Sequence, residues 1–325
     1  MTNKDYSTIL FPPDRVSQLT TAFLKQRRET AGRGIPVGLT QLDKKFIPLM
    51  PTELCSIVGR PGNGKTGFMV RWARDRAAWL RKNDLGDKRL VIYLTLEQSI
   101  EELNAFNIAA DERLSITSMA RGEITDAEWD RCLTASVDRV FLPLWNVGYS
   151  AMTDVKQVKI DLDAIEGALE LARERNKREI DIVFVDYLQR MPITRAENKT
   201  VGVSDNLDGL KNIALRLKCP VVTGVQARRE VDEYADHIPE LDDGQWTSNI
   251  EQTSDRVISL MRPAKYFEVG KKYSGGIKLI DGMNVTKNMM LIRVLKQKLG
   301  EDNFSYLAYF DPEYNRLSEM ERGEE

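Results

Sequence analysis

At 325 residues with 42% hydrophobic side chains, the chain holds enough material for one large α/β domain or two small ones, and for a substantial core. A net charge of −2 on 30% charged residues excludes a globally basic nucleic-acid binder, so any such contact has to come from a local patch or an assembled ring. The single histidine, His237, excludes a His-rich metal site, argues against a Ser-His-Asp triad and reads as a loop residue.

The chain opens with a loose arm ending at Pro12-Pro13. Asp14 then caps a helix predicted over 14–29, with Val16, Leu19, Phe23 and Leu24 near helical spacing, and Ala31-Gly32-Arg33-Gly34 breaks it. Beyond Gly38, apolar strands are predicted at 54–58, 90–95, 139–142, 182–185, 221–225, 257–261, 290–295 and 306–310. Helical patterns cover 66–80, 99–110, 126–136, 155–176 and 204–218. The first five strands are short and apolar on both faces, as in a parallel sheet covered by helices on both sides. The last strands lack intervening helices and are expected to extend the sheet antiparallel. The fold class is therefore α/β, with a mostly parallel central sheet flanked by helices and antiparallel C-terminal strands. The chain divides into an arm and helix at 1–33, one domain at 34–317 and an acidic tail at 318–325. Cys55, Cys132 and Cys219 lie in or beside apolar runs without metal-ligand spacing, as buried free thiols of a reducing compartment do. No segment approaches the roughly 20 apolar residues of a membrane span and the start is polar, which reads as a cytoplasmic protein with no membrane partner.

The chemistry is announced by Gly59-Arg60-Pro61-Gly62-Asn63-Gly64-Lys65-Thr66, directly after the strand at 54–58. The glycines let the backbone curl so that successive N–H groups face a phosphate. Lys65 then reaches the β- and γ-phosphates and the Thr66 hydroxyl binds Mg²⁺. The helix that follows points the positive end of its dipole at the same place. Other polar residues end neighbouring strands. Asp186 closes Ile182-Val183-Phe184-Val185, the presentation of a Walker-B acid to the Mg²⁺ shell. Glu97 ends the apolar run Leu90–Leu96, where a carboxylate can polarise an attacking water. Gln226 ends the strand at 221–225 and is followed by Arg228 and Arg229. These three either sense and bind phosphate or a neighbouring chain, or serve as a polar strand cap with solvated arginines.

The order Gly34-Ile35-Pro36-Val37-Gly38-Leu39-Thr40-Gln41-Leu42-Asp43, the loop at 59–66, Leu94-Thr95-Leu96-Glu97-Gln98-Ser99, Val185-Asp186-Tyr187-Leu188-Gln189, Ile250-Glu251-Gln252 and Leu295-Lys296-Gln297-Lys298-Leu299-Gly300 resembles the C-terminal motor domain of DnaB-type replicative helicases, a RecA-like P-loop NTPase fold. The resemblance spans roughly 34–317. It implies ATP and Mg²⁺ as cofactors, with Lys65 and Thr66 on phosphate and metal and Asp186 as Walker-B acid. Glu97 becomes the catalytic base and Gln226 the residue coupling nucleotide state to DNA. It further implies a homo-oligomer, a hexameric ring with nucleotide at subunit interfaces and single-stranded DNA in the channel, where loops near 227–234 and 242–249 bring Arg228, Arg229, Gln245 and Trp246 to DNA. The helix at 14–29 matches the linker helix that docks on the neighbouring motor domain, and replication partners such as a primase or loader are implied without being specified.

Three departures from the family pattern stand out. The family's N-terminal helical domain is not present in the sequence, a reduced architecture that points to a phage or other mobile element. Gln245 and Trp246 occupy positions where the family usually has arginine and glutamate; Trp246 either stacks on a base or anchors its loop on the protein. Lys296-Gln297-Lys298 stands where the family has Lys-Gln-Arg, so the trans-acting cation is a lysine lacking the guanidinium fork, unless Arg293 or Arg262 supplies it. The expectation is a ring-forming, ATP-dependent helicase or translocase. The alternative is a nucleotide-gated DNA-binding or assembly ATPase with weak hydrolysis and no unwinding.

Overall fold

In the computed structural model, the described residues are 10–29, 34–153, 159–193, 198–245 and 249–320. They form helices α1 (Pro13–Glu29), α2 (Thr40–Asp43), α3 (Lys65–Lys82), α4 (Ile100–Glu112), α5 (Ile116–Arg121), α6 (Asp126–Arg139), α7 (Leu162–Asn176), α8 (Lys199–Leu217) and α9 (Ile250–Thr253). The strands are β1 (Leu54–Gly59), β2 (Arg89–Thr95), β3 (Leu144–Val147), β4 (Glu179–Asp186), β5 (Val221–Gln226), β6 (Arg256–Met261), β7 (Met289–Gln297), β8 (Phe304–Asp311) and β9 (Arg316–Glu319). They make one sheet in the order β3-β2-β4-β5-β1-β6-β7-β8-β9. Pairing is parallel from β3 through β6 and antiparallel from β6 through β9.

The mixed sheet bears out the expected fold class, with two corrections. The run at 139–142 is not a strand. Thr125 and Glu128 form a capping box that launches α6, which continues to Arg139. Val140 and Phe141 then lie exposed at 79% and 61%, and the edge strand begins after Pro143. An apolar run at a helix end mimics a buried strand because periodicity cannot separate the two over four residues. The strand at 257–261, expected to be antiparallel, is β6, which runs parallel to β1. The connection from β5 is long enough to cross back to the same end of the sheet, as parallel neighbours require. Ser318 and Glu319, expected in the acidic tail, close β9, where the Glu319 carboxylate accepts from the backbone N–H of Gln41.

Each face of the sheet has its own core. On one face Trp72 of α3 makes edge-on contacts with Phe46, Phe68 and Phe184, and Phe184 stacks on Tyr93. Burying such rings contributes both area and aromatic pairing geometry. Trp72 Nε1 donates to Pro36 O, and Arg71 donates to Val37 O and Gly38 O, so the segment entering the domain is clamped on α3. On the other face Ile165 and Leu169 of α7 and Leu207 and Leu210 of α8 cover β4 and β5. The three cysteines are free and buried, as expected. His237 lies in a loop and stacks on Tyr266. Among the described residues no helix is long and apolar enough to cross a membrane.

Beneath β2 and β4, Asp181 is buried between two arginines: Arg76 Nε donates at 2.5 Å and Arg89 at 2.9 Å. Asp181→Ala strands the Arg76 guanidinium and is expected to cost about 3–5 kcal/mol, read as a lower urea midpoint with an unchanged m-value.

Candidate active site

The loop at 59–64 joins β1 to α3. Gly62 and Gly64 sit at φ of 75° and 87°, and Gly64 is the N-cap of α3. A Cβ on Gly64 would stand 2.4 Å from Met290 Cε, a flexible tip that can yield, so it is the left-handed backbone that demands glycine there. Two loop side chains fasten the loop rather than fill it. Arg60 donates to Asp232 and to Ala227 O, tying it to the segment after β5. Asn63 donates to the Tyr266 hydroxyl at 2.9 Å and accepts from the Arg262 backbone N–H at 2.7 Å, tying it to the segment after β6.

Lys65 bends back along the loop, donating to Gly59 O at 2.7 Å and to Arg60 O at 3.3 Å. Burial pulls its ammonium down from the ordinary 10.5 to about 8, against the pull of Asp186 and Glu97. Asp186 ends β4 in register with Thr95 of β2. Burial raises its pKa, opposed by hydrogen bonds from Thr66 and Tyr93 and by the charge of Lys65. The Tyr93 hydroxyl donates to Asp186 Oδ2 at 3.0 Å. Glu97, just past β2, pairs with Arg190 at 3.3 Å, both side chains about half exposed. Gln226 ends β5 opposite Gly59. Its backbone is gripped by the Gln189 side-chain amide, which accepts from Gln226 N and donates to both Gln226 O and Gln245 O. Lys65, Thr66, Glu97, Asp186 and Gln226 thus line one cavity of about 570 Å³.

The remaining candidates lie elsewhere. Lys296 and Lys298 are at the end of β7 that pairs with the start of β6, the opposite end of the parallel strands from the loop. Lys296 Nζ donates to the carbonyls of Glu251 and Ser254, whereas Lys298 is 66% exposed, 3.5 Å from Asp255. Arg293 is engaged by Glu240 and Asn303. Arg262 stands beside its own chain's loop, donating to Gly62 O and Lys287 O. Arg228 donates to the buried Asp243 and to Tyr234, bracing the 227–243 segment; those bonds raise its pKa. Arg229 is exposed, Gln245 is bound through its backbone, and Trp246 lies outside the described residues.

Sequence reading misses Tyr93 and Arg190, and meets Gln189 only within the family motif, without its contacts. A signal for Tyr93 is present in strand alternation, which sets residues 93 and 95 on one face of β2. Gln189 and Arg190 sit on the 3-10 turn after Asp186, and their partners are 37 to 93 positions away.

The family model for the DnaB-like helicase C terminal domain matches residues 34–319. The chain belongs to that family. Curated relatives include the replicative DNA helicases DnaB of Rickettsia typhi, 26% identical over 300 residues, and of Geobacillus stearothermophilus, 27% identical over 292 residues. Each alignment covers 89% of this chain, and the chain spans about 57% of the length of these relatives. Among solved structures, an isolated ATPase domain superposes with a TM-score of 0.75 at 21% identity, over 98% of this chain and all of that one. A DnaB-like replicative helicase, described with its interactions with primase, superposes with a TM-score of 0.74 at 21% identity, over 94% of this chain and 66% of that one. The RecA-like fold expected of this DnaB-family chain is borne out.

The depressed Lys65 pKa has a consequence for stability. Between about 8 and 10.5 the unfolded chain holds a proton on this lysine that the folded chain has released, so Lys65 makes stability rise with pH across that window. Lys65→Met is expected to remove that part of the rise in urea-unfolding series taken from about pH 7.5 to about pH 10.5.

Proposed function

We propose that the chain is the ATP-hydrolysing motor of a ring-forming DNA helicase that moves on single-stranded DNA during replication. The observation that carries this reading is the meeting of Lys65, Thr66, Asp186, Glu97 and Gln226 in one cleft of a DnaB-family domain. Curated relatives named as replicative helicases support the process.

The residues fit a Mg²⁺–nucleotide. The loop's left-handed glycines open its backbone to phosphate, and the buried Asp186 carboxylate and Thr66 hydroxyl form the oxygen-rich pair that Mg²⁺ requires. Among the described residues no cluster of three acidic, histidine or cysteine side chains could hold a metal, so the remaining ligands fall to the nucleotide and water. Thr66 and Asp186 would hold that Mg²⁺, which would supply charge neutralisation to the nucleotide's phosphates. Lys65 exchanges the Gly59 and Arg60 carbonyls for phosphate oxygens, and Glu97 orients and takes the proton of the attacking water. Tyr93 keeps Asp186 aimed, and Gln226 reports the γ-phosphate to the segment carrying Arg229 and Gln245.

A half-site that needs a neighbour accounts for Lys298. It lies too far along the sheet to serve its own cleft, and it is exposed, as a cation acting on the adjacent subunit must be. Lys296, held by its own chain's carbonyls, shapes the base from which Lys298 projects. Surfaces for such an assembly are available. Val16 and Leu19 of α1 and Trp129, Leu133 and Val137 of α6 form exposed apolar stripes, and α1 is the linker helix in this reading.

Forked-duplex unwinding, tested with ATP and Mg²⁺, is the decisive assay; absence of both unwinding and DNA-stimulated hydrolysis refutes the proposal. Glu97→Gln is expected to lower kcat by about 10²–10⁴ while analogue binding persists. The lysine at 298 favours one second reading, a nucleotide-gated assembly with little turnover. Mass measurement showing ATP-dependent rings without hydrolysis selects it, and Lys298→Arg is then expected to raise the rate.

A further inference from the structure

Glu97, the group assigned to the attacking water, is not free in this structure. Its carboxylate is held by Arg190, on the 3-10 turn Leu188–Arg190 that directly follows the Asp186-Tyr187 end of β4. The same turn carries Gln189, whose amide binds both edges of Gln226 and the carbonyl of Gln245. Two adjacent side chains on one short turn therefore grip two different segments. Gln189 holds the segment assigned to DNA, and Arg190 holds the residue assigned to water. The turn is braced at one end, where Leu188 is fully buried and Arg190 N donates to Tyr187 O.

The two grips differ in strength. Gln189 makes three hydrogen bonds to half-buried backbone, whereas Arg190 and Glu97 are 54% and 48% exposed. An ion pair this open to water contributes little to stability, so a small displacement of the turn suffices to break it. Glu97 has a second tether that such a displacement leaves alone, since Tyr149 donates to its backbone oxygen. Releasing Arg190 frees the carboxylate while the strand end stays in place.

We propose that Arg190 is a positioning residue that holds Glu97 in a resting orientation, and that single-stranded DNA engaging the Gln226–Gln245 edge moves the Gln189–Arg190 turn and releases it. The inference rests on the motor function proposed above and adds a cause for DNA-stimulated turnover: this chain's share of the nucleotide site is assembled without DNA, yet its water-orienting group is restrained.

The test measures ATP hydrolysis by wild type, Arg190→Leu and Arg190→Lys, each with and without oligo-dT. In Arg190→Leu the DNA-free kcat is expected to rise about fivefold, the equivalent of an exposed pair's ~1 kcal/mol, with KM unchanged and the stimulation ratio falling towards one. Arg190→Lys, which keeps the charge, is expected to retain most of the stimulation. A structure with a triphosphate analogue is expected to keep the Glu97–Arg190 pair, and one with analogue plus oligo-dT to lose it. An unchanged ratio in Arg190→Leu, a DNA-free rate that falls, or a pair that survives DNA binding overturns the latch while leaving the motor reading intact. A wild type that binds no nucleotide or never hydrolyses it overturns both.

Discussion

Parallel hydrogen bonding between β1, β5, β4 and β2 is the constraint on which the rest of this molecule depends. It sets Gly59 opposite Gln226, Val185 opposite Thr223 and Asp186 opposite Thr95, so four strand ends finish along one edge. Because the strands share a direction, whatever follows each of them emerges on the same side: the phosphate loop, the Gln226 segment, the Asp186 turn and Glu97. A shift of one strand by a single residue would turn its terminal side chain to the other face and empty the cleft. The two cores, one under α3 and one under α7 and α8, hold that register by burying both faces of every central strand.

The antiparallel extension has the opposite consequence. Once β7 reverses direction, its C-terminal end lies at the far end of the sheet from the loop, and Lys296-Gln297-Lys298 travels with it. The same reversal that completes the sheet removes these lysines from their own chain's cleft. The cleft meanwhile concentrates charge in a buried place: a lysine whose ammonium is penalised by burial and an aspartate whose carboxylate is penalised likewise. Groups so arranged are destabilising alone and stabilised by a ligand carrying both phosphate and a cation.

Much of the site is legible in order along the chain. The loop at 59–66 and the terminal residues Glu97, Asp186 and Gln226 are readable because a polar residue ending an apolar run is a local signal. The failures are also local in cause. At 139–142 the apolar Val140-Phe141-Leu142 at the end of a helix resembles a strand, and only the capping box and the exposure of Val140 and Phe141 distinguish them. At 257–261 the strand itself is readable, but its direction depends on how a long connection crosses the sheet. Arg228 reads as a free cation because Asp243, its buried partner, lies 15 residues away on the far side of a loop.

The sequence by itself determined the central strands β1, β2, β4 and β5, the phosphate loop, the acids at the strand tips and the family, since each is written in contiguous residues whose spacing carries the chemistry. Tertiary structure alone decided which side chains meet: Tyr93 with Asp186, Arg190 with Glu97, Gln189 with both Gln226 and Gln245. It also separated Lys296, bound to its own backbone, from Lys298, which is exposed. The physical reason is range. Backbone propensity and hydrophobic period act over a few residues, whereas these hydrogen bonds and ion pairs join positions brought together only when the parallel sheet closes.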